Sequence, residues 1–371
     1  MREAKNIVYS EKVMQESDLF RVLESLVKKV GLFDNRILKG DTVLIKPNFV
    51  APFPKATTDL KSIDFFVTKI REAGGIPVIG ESSGFEFDTE ATFQILGIKE
   101  FAEERKVELI NFDKTEYTTM ELSDIGRVEI AKAALEAKLI LNLPVLKKHS
   151  ITQITGAVKN FLGFLSKTSR RYLHFHRLED GIVALARKFE GSIHFVDARH
   201  MLSRAVFSQS RPLNYYLAGL DPFSLDHFGS RLLSVNPESV KYLKGVGQYH
   251  IEGFIPDELP LPVTGSFFKE RIYRMTYSTL YRLDTIKCSL LGGNSMIPSL
   301  HWYLGIHPKI GKVTQEELEE LSLLCPVGAI NIEKRNITRE KCARIRCLKC
   351  YHQSKSGKVI LRGFGSLRYR G

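Results

Sequence analysis

The chain has 371 residues but five cysteines, one tryptophan and no apolar run near the ~20 residues that a membrane-spanning helix needs. A complete Walker loop and a GxGxxG are both missing, so nucleotide binding lacks its usual signal. The opening MREAKNIVYSEK holds no secretory apolar region. These absences speak against a disulfide-built secreted domain and a helical membrane protein, and lead to the expectation of a cytoplasmic protein in a reducing compartment. The length allows two or three domains, each with its own core.

The little cysteine present is concentrated. Four of the five lie in CPVGAINIEKRNITREKCARIRCLKC, at Cys325, Cys342, Cys347 and Cys350. In bacterial-type ferredoxins the cysteine before proline ligates the other cluster of a pair, so one complete cluster takes three cysteines of one run and the last of the other. Cys342, Cys347 and Cys350 are the trio here, and Cys325, followed by Pro326, is the remote ligand. The stretch GIHPKIGKVTQEELEELSLL before Cys325 and YHQSKS after Cys350 contain no cysteine, so the second cluster is expected to be missing. One departure stands out: four residues separate Cys342 from Cys347, where the usual run has two, and a bulge in the loop is the smallest repair. The expected cofactor is one [4Fe-4S] cluster. Structural zinc, which also takes four thiolates, is the alternative, and an unmetallated core is the third reading.

The formal net charge is +12. Basic proteins often meet nucleic acid or acidic membranes through a concentrated patch. The surplus here gathers in RIYRMTYSTLYR (Arg271–Arg282) and in the tail LRGFGSLRYRG, neither of which matches a nucleic-acid motif. A solvated surface with lysines lining an anion pocket is therefore preferred, and nucleic-acid binding is kept as the outlying alternative.

Up to about residue 198 short apolar strands alternate with amphipathic helices, the pattern of an α/β domain with a doubly wound, mostly parallel sheet covered on both faces. The strands are expected at 42–46, 76–80, 107–111, 139–143 and 193–197. Helices are expected at 17–30, 59–73 and 89–105, the first carrying Phe20, Leu23, Val27 and Val30 at helical spacing, with Gly31 and Gly74 as stops. A further helix is read over ITGAVKNFLGFL, with Leu146, Val158, Phe161 and Leu165 as core. Asp221-Pro222 reads as a helix start, with Asp at the cap and Pro at the first position.

Polar residues collect just past these strands: Asn48, then Glu81-Ser82-Ser83-Gly84, then Lys147-Lys148-His149. Ligands of open α/β sheets bind at that edge. Lys46, Lys147, Lys148, His149 and Lys159 against Glu81 and Asp226 make a cationic crevice suited to a carboxylate or phosphate, with Asn48, Ser82 and Ser83 as neutral partners. His149 is the candidate for proton transfer, because its ordinary pKa lies near neutrality and a flanking lysine favours its neutral, basic form.

The blocks VLIKPN, GESSG, NLPVLKKH and TGAVKNFLG, followed by a histidine-containing stretch and GLDPFSLD, resemble the family called domain of unknown function 362, whose members often carry a fused ferredoxin-like module. The resemblance covers about residues 40–250 and the C-terminal module. It implies an iron-sulfur protein and motif positions at Lys46, Asn48, Glu81, Ser82, Gly84, Lys147, His149, Lys159, Asn160, His174 or His176, Asp221 and Asp226. In place of the family's glycine-rich loop after the strand ending in VDG, this chain has VDARHMLSRAVFSQSRP, which denies a ligand close approach to the backbone there.

The resulting organisation is an α/β domain over 1–262, an aromatic and basic helical connector over 263–307, a small α+β ferredoxin-like module over 308–356 and a basic tail over 357–371. The expected function is an iron-sulfur oxidoreductase acting on an anionic small molecule, with Lys46, His149 and Lys159 managing charge and protons and a redox protein as partner. The alternatives are a non-catalytic electron-transfer or cluster-binding protein and a nucleic-acid-binding protein with a structural metal.

Overall fold

The computed structural model describes residues 6–32, 36–84, 87–149, 151–206, 210–256 and 307–362 apart from 344 and 346, with isolated positions between 275 and 290. The connector with Trp302 and Cys288, most of the basic stretch at 271–282 and the tail from 363 lie outside the described residues.

The chain opens with β1 (Ile7–Lys12) and α1 (Leu19–Val30), which buries Leu19, Val22, Leu23, Leu26, Val27 and Val30. Phe20 belongs to the opposite side, half exposed and stacked on Phe65, so the buried stripe starts one residue earlier than its spacing suggested. Gly31, at φ 65°, ends the helix in the left-handed conformation that glycine reaches without steric cost. Next come β2 (Thr42–Lys46), α2 (Leu60–Glu72), capped by Asp59, and β3 (Ile76–Glu81). The single helix expected over 89–105 is two, α3 (Thr89–Ile95) and α4 (Ile98–Glu104), because Gly97 turns the chain at φ 72°. After β4 (Glu108–Asn111) a hairpin of β5 (Tyr117–Leu122) and β6 (Gly126–Ala131) precedes α5 (Lys132–Glu136) and β7 (Leu139–Asn142).

A second small hairpin, β8 (Lys147–His149) and β9 (Gln153–Thr155), leads into α6 (Ala157–Asn160) and a 3-10 turn at Phe161–Phe164. The helix expected over 154–165 is thus a strand end and two short turns. The backbone passes close to other side chains at the two glycines of this stretch: a Cβ at Gly156 would stand 2.1 Å from Asp226 Oδ1, and one at Gly163 would stand 2.2 Å from Glu81 Oε1, so neither position has room for a side chain. Then follow α7 (Lys167–His176), α8 (Leu178–Lys188), β10 (Ile193–Val206), β11 (Ser210–Gly219), α9 (Pro222–Leu232) and β12 (His250–Gly253). Asp221 caps α9 as its sequence indicated, accepting from the amides of Phe223 and Ser224.

Eight strands form one sheet in the order β12-β1-β11-β10-β7-β2-β3-β4. All its pairings are parallel except those of β11 with β1 and β10. Alternate residues face opposite ways, as the pleat dictates. Val43, Ile45, Ile79 and Leu141 pack with α1, α2, α3 and α4, whereas Leu44, Val78, Ile140 and Val196 pack with α6, α8 and α9. The sheet is therefore covered on both faces, and the C-terminal ends of β2, β3 and β7 share one edge.

The C-terminal part pairs β13 (His307–Ile310) with β16 (Val359–Arg362) and β14 (Ile330–Asn331) with β15 (Asn336–Ile337), around a helix at Gln315–Leu323. Its core is Ile310, Val313, Leu318, Leu321, Ile330 and Val359. Among the described residues no helix is long and apolar enough to cross a membrane.

Candidate functional site

At the strand edge the motif residues are drawn into one buried polar knot. Lys46, the last residue of β2, donates to Glu81 Oε2 at 2.6 Å and to Pro47 O at 2.9 Å, and neither side chain reaches solvent appreciably. Burial lowers the Lys46 pKa and raises that of Glu81, and their mutual attraction opposes both shifts. Glu81 also accepts from the amides of Phe49 and Ser82, at 3.2 and 2.7 Å. These donors satisfy a carboxylate that would otherwise be costly to bury.

Beside this pair, Lys147 donates to Asn48 Oδ1 at 2.5 Å and to Ala56 O at 2.6 Å. Asn48 donates to Asn160 Oδ1, and Asn160 donates in turn to Asn142 Oδ1, both at 2.8 Å. Burial, then repulsion from Lys159, brings Lys147 down to about 7. Ser82 Oγ donates to Gly163 O, Ser83 Oγ donates to Phe49 O, and the Gly84 amide donates to Val50 O. The GESSG block is thus a cross-link between the loops after β2 and β3 and the turn at Gly163. Asp226 is fully buried and accepts from the amides of Ala157 and Val158 and from Tyr242, so it holds the start of α6.

The more open part of the site is formed by His149, Lys159 and His174, each of which keeps some exposed surface; Lys148, also partly exposed, stands between Lys147 and His149 on β8. The rings of His149 and His174 lie 6.4 Å apart. Although Lys159 and His174 retain accessible area, the surrounding protein is dense enough that desolvation governs both: it takes Lys159 down to about 8, and with the Lys159 charge takes His174 down to about 3. Of the two histidines the sequence left open, His174 joins this group. His176 instead points along the outer side of α7, its Nδ1 at 2.9 Å from Tyr172 O and its ring stacked on Tyr172.

Several contributors were not singled out from the sequence. Asn142 ends β7 and also meets His194 Nδ1 at 2.9 Å, and Thr58 bridges the Asn48 amide to Leu143 O. Asn142 had the same signal as Asn48, a polar residue closing an apolar strand. Arg199 is tied to Asp197 and Asp59 and packs over Tyr216.

The second site is in the C-terminal part. Cys325, Cys342, Cys347 and Cys350 all line one pocket, with Val327, Ala329, Ile330, Ile337, Ile345 and Leu348 as its apolar wall. The Ala329 amide donates to Cys325 Sγ at 3.1 Å, and Gly328 at φ 54° makes the tight turn that brings it there. Burial, then the neighbouring Cys342, Cys347 and Cys325, pushes the Cys350 thiol up to about 12. The four thiols surround the pocket without meeting at one point: among the described residues no three His, Cys, Asp or Glu side chains converge as for a single ion.

The pocket adjoins the strand edge. Leu348, between Cys347 and Cys350, is buried in a cluster with Ala51, Phe53 and Ala56 from the loop after β2 and Phe87 from the segment after β3. The carbonyl of Ala56 is the one to which Lys147 donates.

Among protein families, the one described as "Domain of unknown function (DUF362)" matches residues 43–231. A thylakoid-associated protein of Synechocystis sp. is 23% identical over 237 residues, covering 61% of this chain and 73% of that relative. Among solved structures, the lactate racemase apoprotein from Thermoanaerobacterium thermosaccharolyticum aligns with 62% of this chain and 58% of its own length, at a TM-score of 0.44 and 17% identity. The chain therefore spans less than two thirds of that protein.

Proposed function

The chain belongs to the family of domain of unknown function 362, and on that premise we propose that it is an iron-sulfur oxidoreductase acting on an anionic small molecule at the carboxyl edge of the sheet. The observation that carries this reading is the common pocket of Cys325, Cys342, Cys347 and Cys350. Its donor set and apolar wall fit a [4Fe-4S] cluster. In a cubane each of four thiolates takes a different iron, and a cysteine before proline with a close trio after it is the ferredoxin arrangement.

When bound, such a cluster supplies single electrons. The chain's own residues do the rest. Lys159, with His149 and His174 beside it, offers positive charge and ring nitrogens to a carboxylate or phosphate. Lys46, Glu81, Lys147, Asn48 and Asn160 hold the strand-end loops in place beneath it, a supporting role in the geometry described above. The packing of Leu348 on Ala51, Phe53 and Ala56 supports a short path between the cysteine pocket and this edge. A non-catalytic electron carrier is the second reading, favoured by the partial exposure of all four cysteines.

Iron, acid-labile sulfide and zinc content of anaerobically purified protein, with electron paramagnetic resonance after dithionite reduction, tests the cofactor. About four irons and four sulfides per chain, lost in Cys347→Ala, are expected. One zinc without iron would sink the proposal. Reoxidation of the reduced protein that no carboxylate or phosphate compound accelerates would favour the carrier.

A further inference from the structure

The hydrogen bonds around His149 define which of its two nitrogens carries the proton. His149 ends β8, and the following turn folds back over its ring. The backbone N–H of Ile151 donates to His149 Nδ1 at 3.1 Å, and that of Thr152 donates to the same atom at 3.2 Å. A backbone amide nitrogen is a donor only, so the Nδ1 lone pair is what both of them meet. The hydroxyl of Thr152 also stands 3.1 Å from Nδ1, while Thr152 Oγ1 donates at 2.8 Å to Ile154 O and ties the turn to β9. A proton on Nδ1 would face two amide hydrogens. A neutral imidazole has one N–H, which must then lie on Nε2.

We infer that the turn at Ile151 and Thr152 fixes His149 in the tautomer protonated on Nε2, and that His149 serves the site as a hydrogen-bond donor to an oxyanion. Any group that Nε2 meets, from the protein or from a ligand, must accept a hydrogen bond. Lys159, whose charge bears on the neighbouring His174, adds a second preference for negative oxygen. The ligand class that both satisfy is a carboxylate or phosphate. A neutral histidine placed this way polarises or steadies a developing oxyanion, and does not begin the reaction as a proton acceptor. This reverses the basic role expected from the sequence. The positioning is done by the backbone of Ile151 and Thr152, while the Thr152 hydroxyl holds the turn through Ile154 O.

The inference rests on the anion site of the proposed function but is measured apart from it. Protein labelled with ¹⁵N-histidine, at pH 7 and without ligand, should show His149 in the Nε2–H form by long-range nitrogen–proton correlations, assigned by the loss of its signals in His149→Phe. Thr152→Val and Thr152→Ser both keep the two backbone amides and should both keep this tautomer. With inorganic phosphate as probe, His149→Phe should bind about tenfold more weakly, the worth of one hydrogen bond to a charged group. His149→Gln, which keeps a donor, should stay within about threefold. An Nδ1–H or doubly protonated His149 at pH 7 overturns the tautomer. Wild-type protein that does not bind phosphate, or His149→Phe that binds it unchanged, overturns the oxyanion role. Iron content is indifferent to all of these outcomes, so failure here is distinguishable from failure of the iron-sulfur reading.

Discussion

The ring of Phe53, in the loop after β2, meets the ring of His352 edge to face at 5.7 Å. His352 ends the short helix that carries Cys350, so this contact joins the cysteine pocket to the sheet edge. Phe53 also packs on Phe87 and is almost fully buried.

Phe53→Ala should therefore loosen the cysteine segment from the sheet. Deleting a buried phenylalanine costs about 3–5 kcal/mol where the cavity cannot collapse. Faster amide exchange at 347–352 and lower iron retention are expected, with β4 unaffected. Unchanged exchange at 347–352 would mean that the contact does not hold the two parts together.

Lys46 and Glu81 can be tested as a pair. Lys46→Met leaves a buried carboxylate without its cation and should cost about 3–5 kcal/mol in urea unfolding. Lys46→Met with Glu81→Leu removes both charges and should recover much of that loss. If the double variant is as unstable as the sum of the single ones, the two residues are not coupled.

Gly163→Ala should be destabilising by about 1–3 kcal/mol, the usual cost of overpacking. The new methyl would sit 2.2 Å from Glu81 Oε1 and 2.8 Å from Lys46 Nζ, atoms held in place by each other. A wild-type melting temperature in this variant would show that the turn has room to move.

Two buried groups give opposite pH slopes in neighbouring windows. Lys147 falls from 10.5 to about 7 on burial, so its contribution to stability is fully present above 10.5 and is lost as pH drops through about 7. Asp226 rises from 3.8 to about 7, chiefly by burial, so its contribution is fully present below 3.8 and is lost as pH climbs through about 7. Lys147→Met should flatten the rise of stability with pH above neutrality. Asp226→Asn should flatten the fall below it. Denaturant midpoints across the pH range give the answer, and an unaltered slope in either variant removes that residue as its source.

Much of the fold was readable from local pattern. Apolar runs at Thr42–Lys46 and Leu139–Asn142 could be recognised because strands buried on both faces carry little else. The stops at Gly31 and Gly74 and the Asp221 cap are local chemistry and needed no tertiary context. Cys325, Cys342, Cys347 and Cys350 could be grouped from their spacing alone. Only the tertiary structure decided that Lys46 faces Glu81 across 35 residues, that Lys147 turns inward, and that His174 rather than His176 stands beside His149. These outcomes depend on strand order, register and the close passage of Gly156 and Gly163, which bring together side chains that no local period relates. Sequence could name residues for the strand edge, but whether a lysine there serves a ligand or a buried carboxylate depends on what the fold places within reach of its nitrogen.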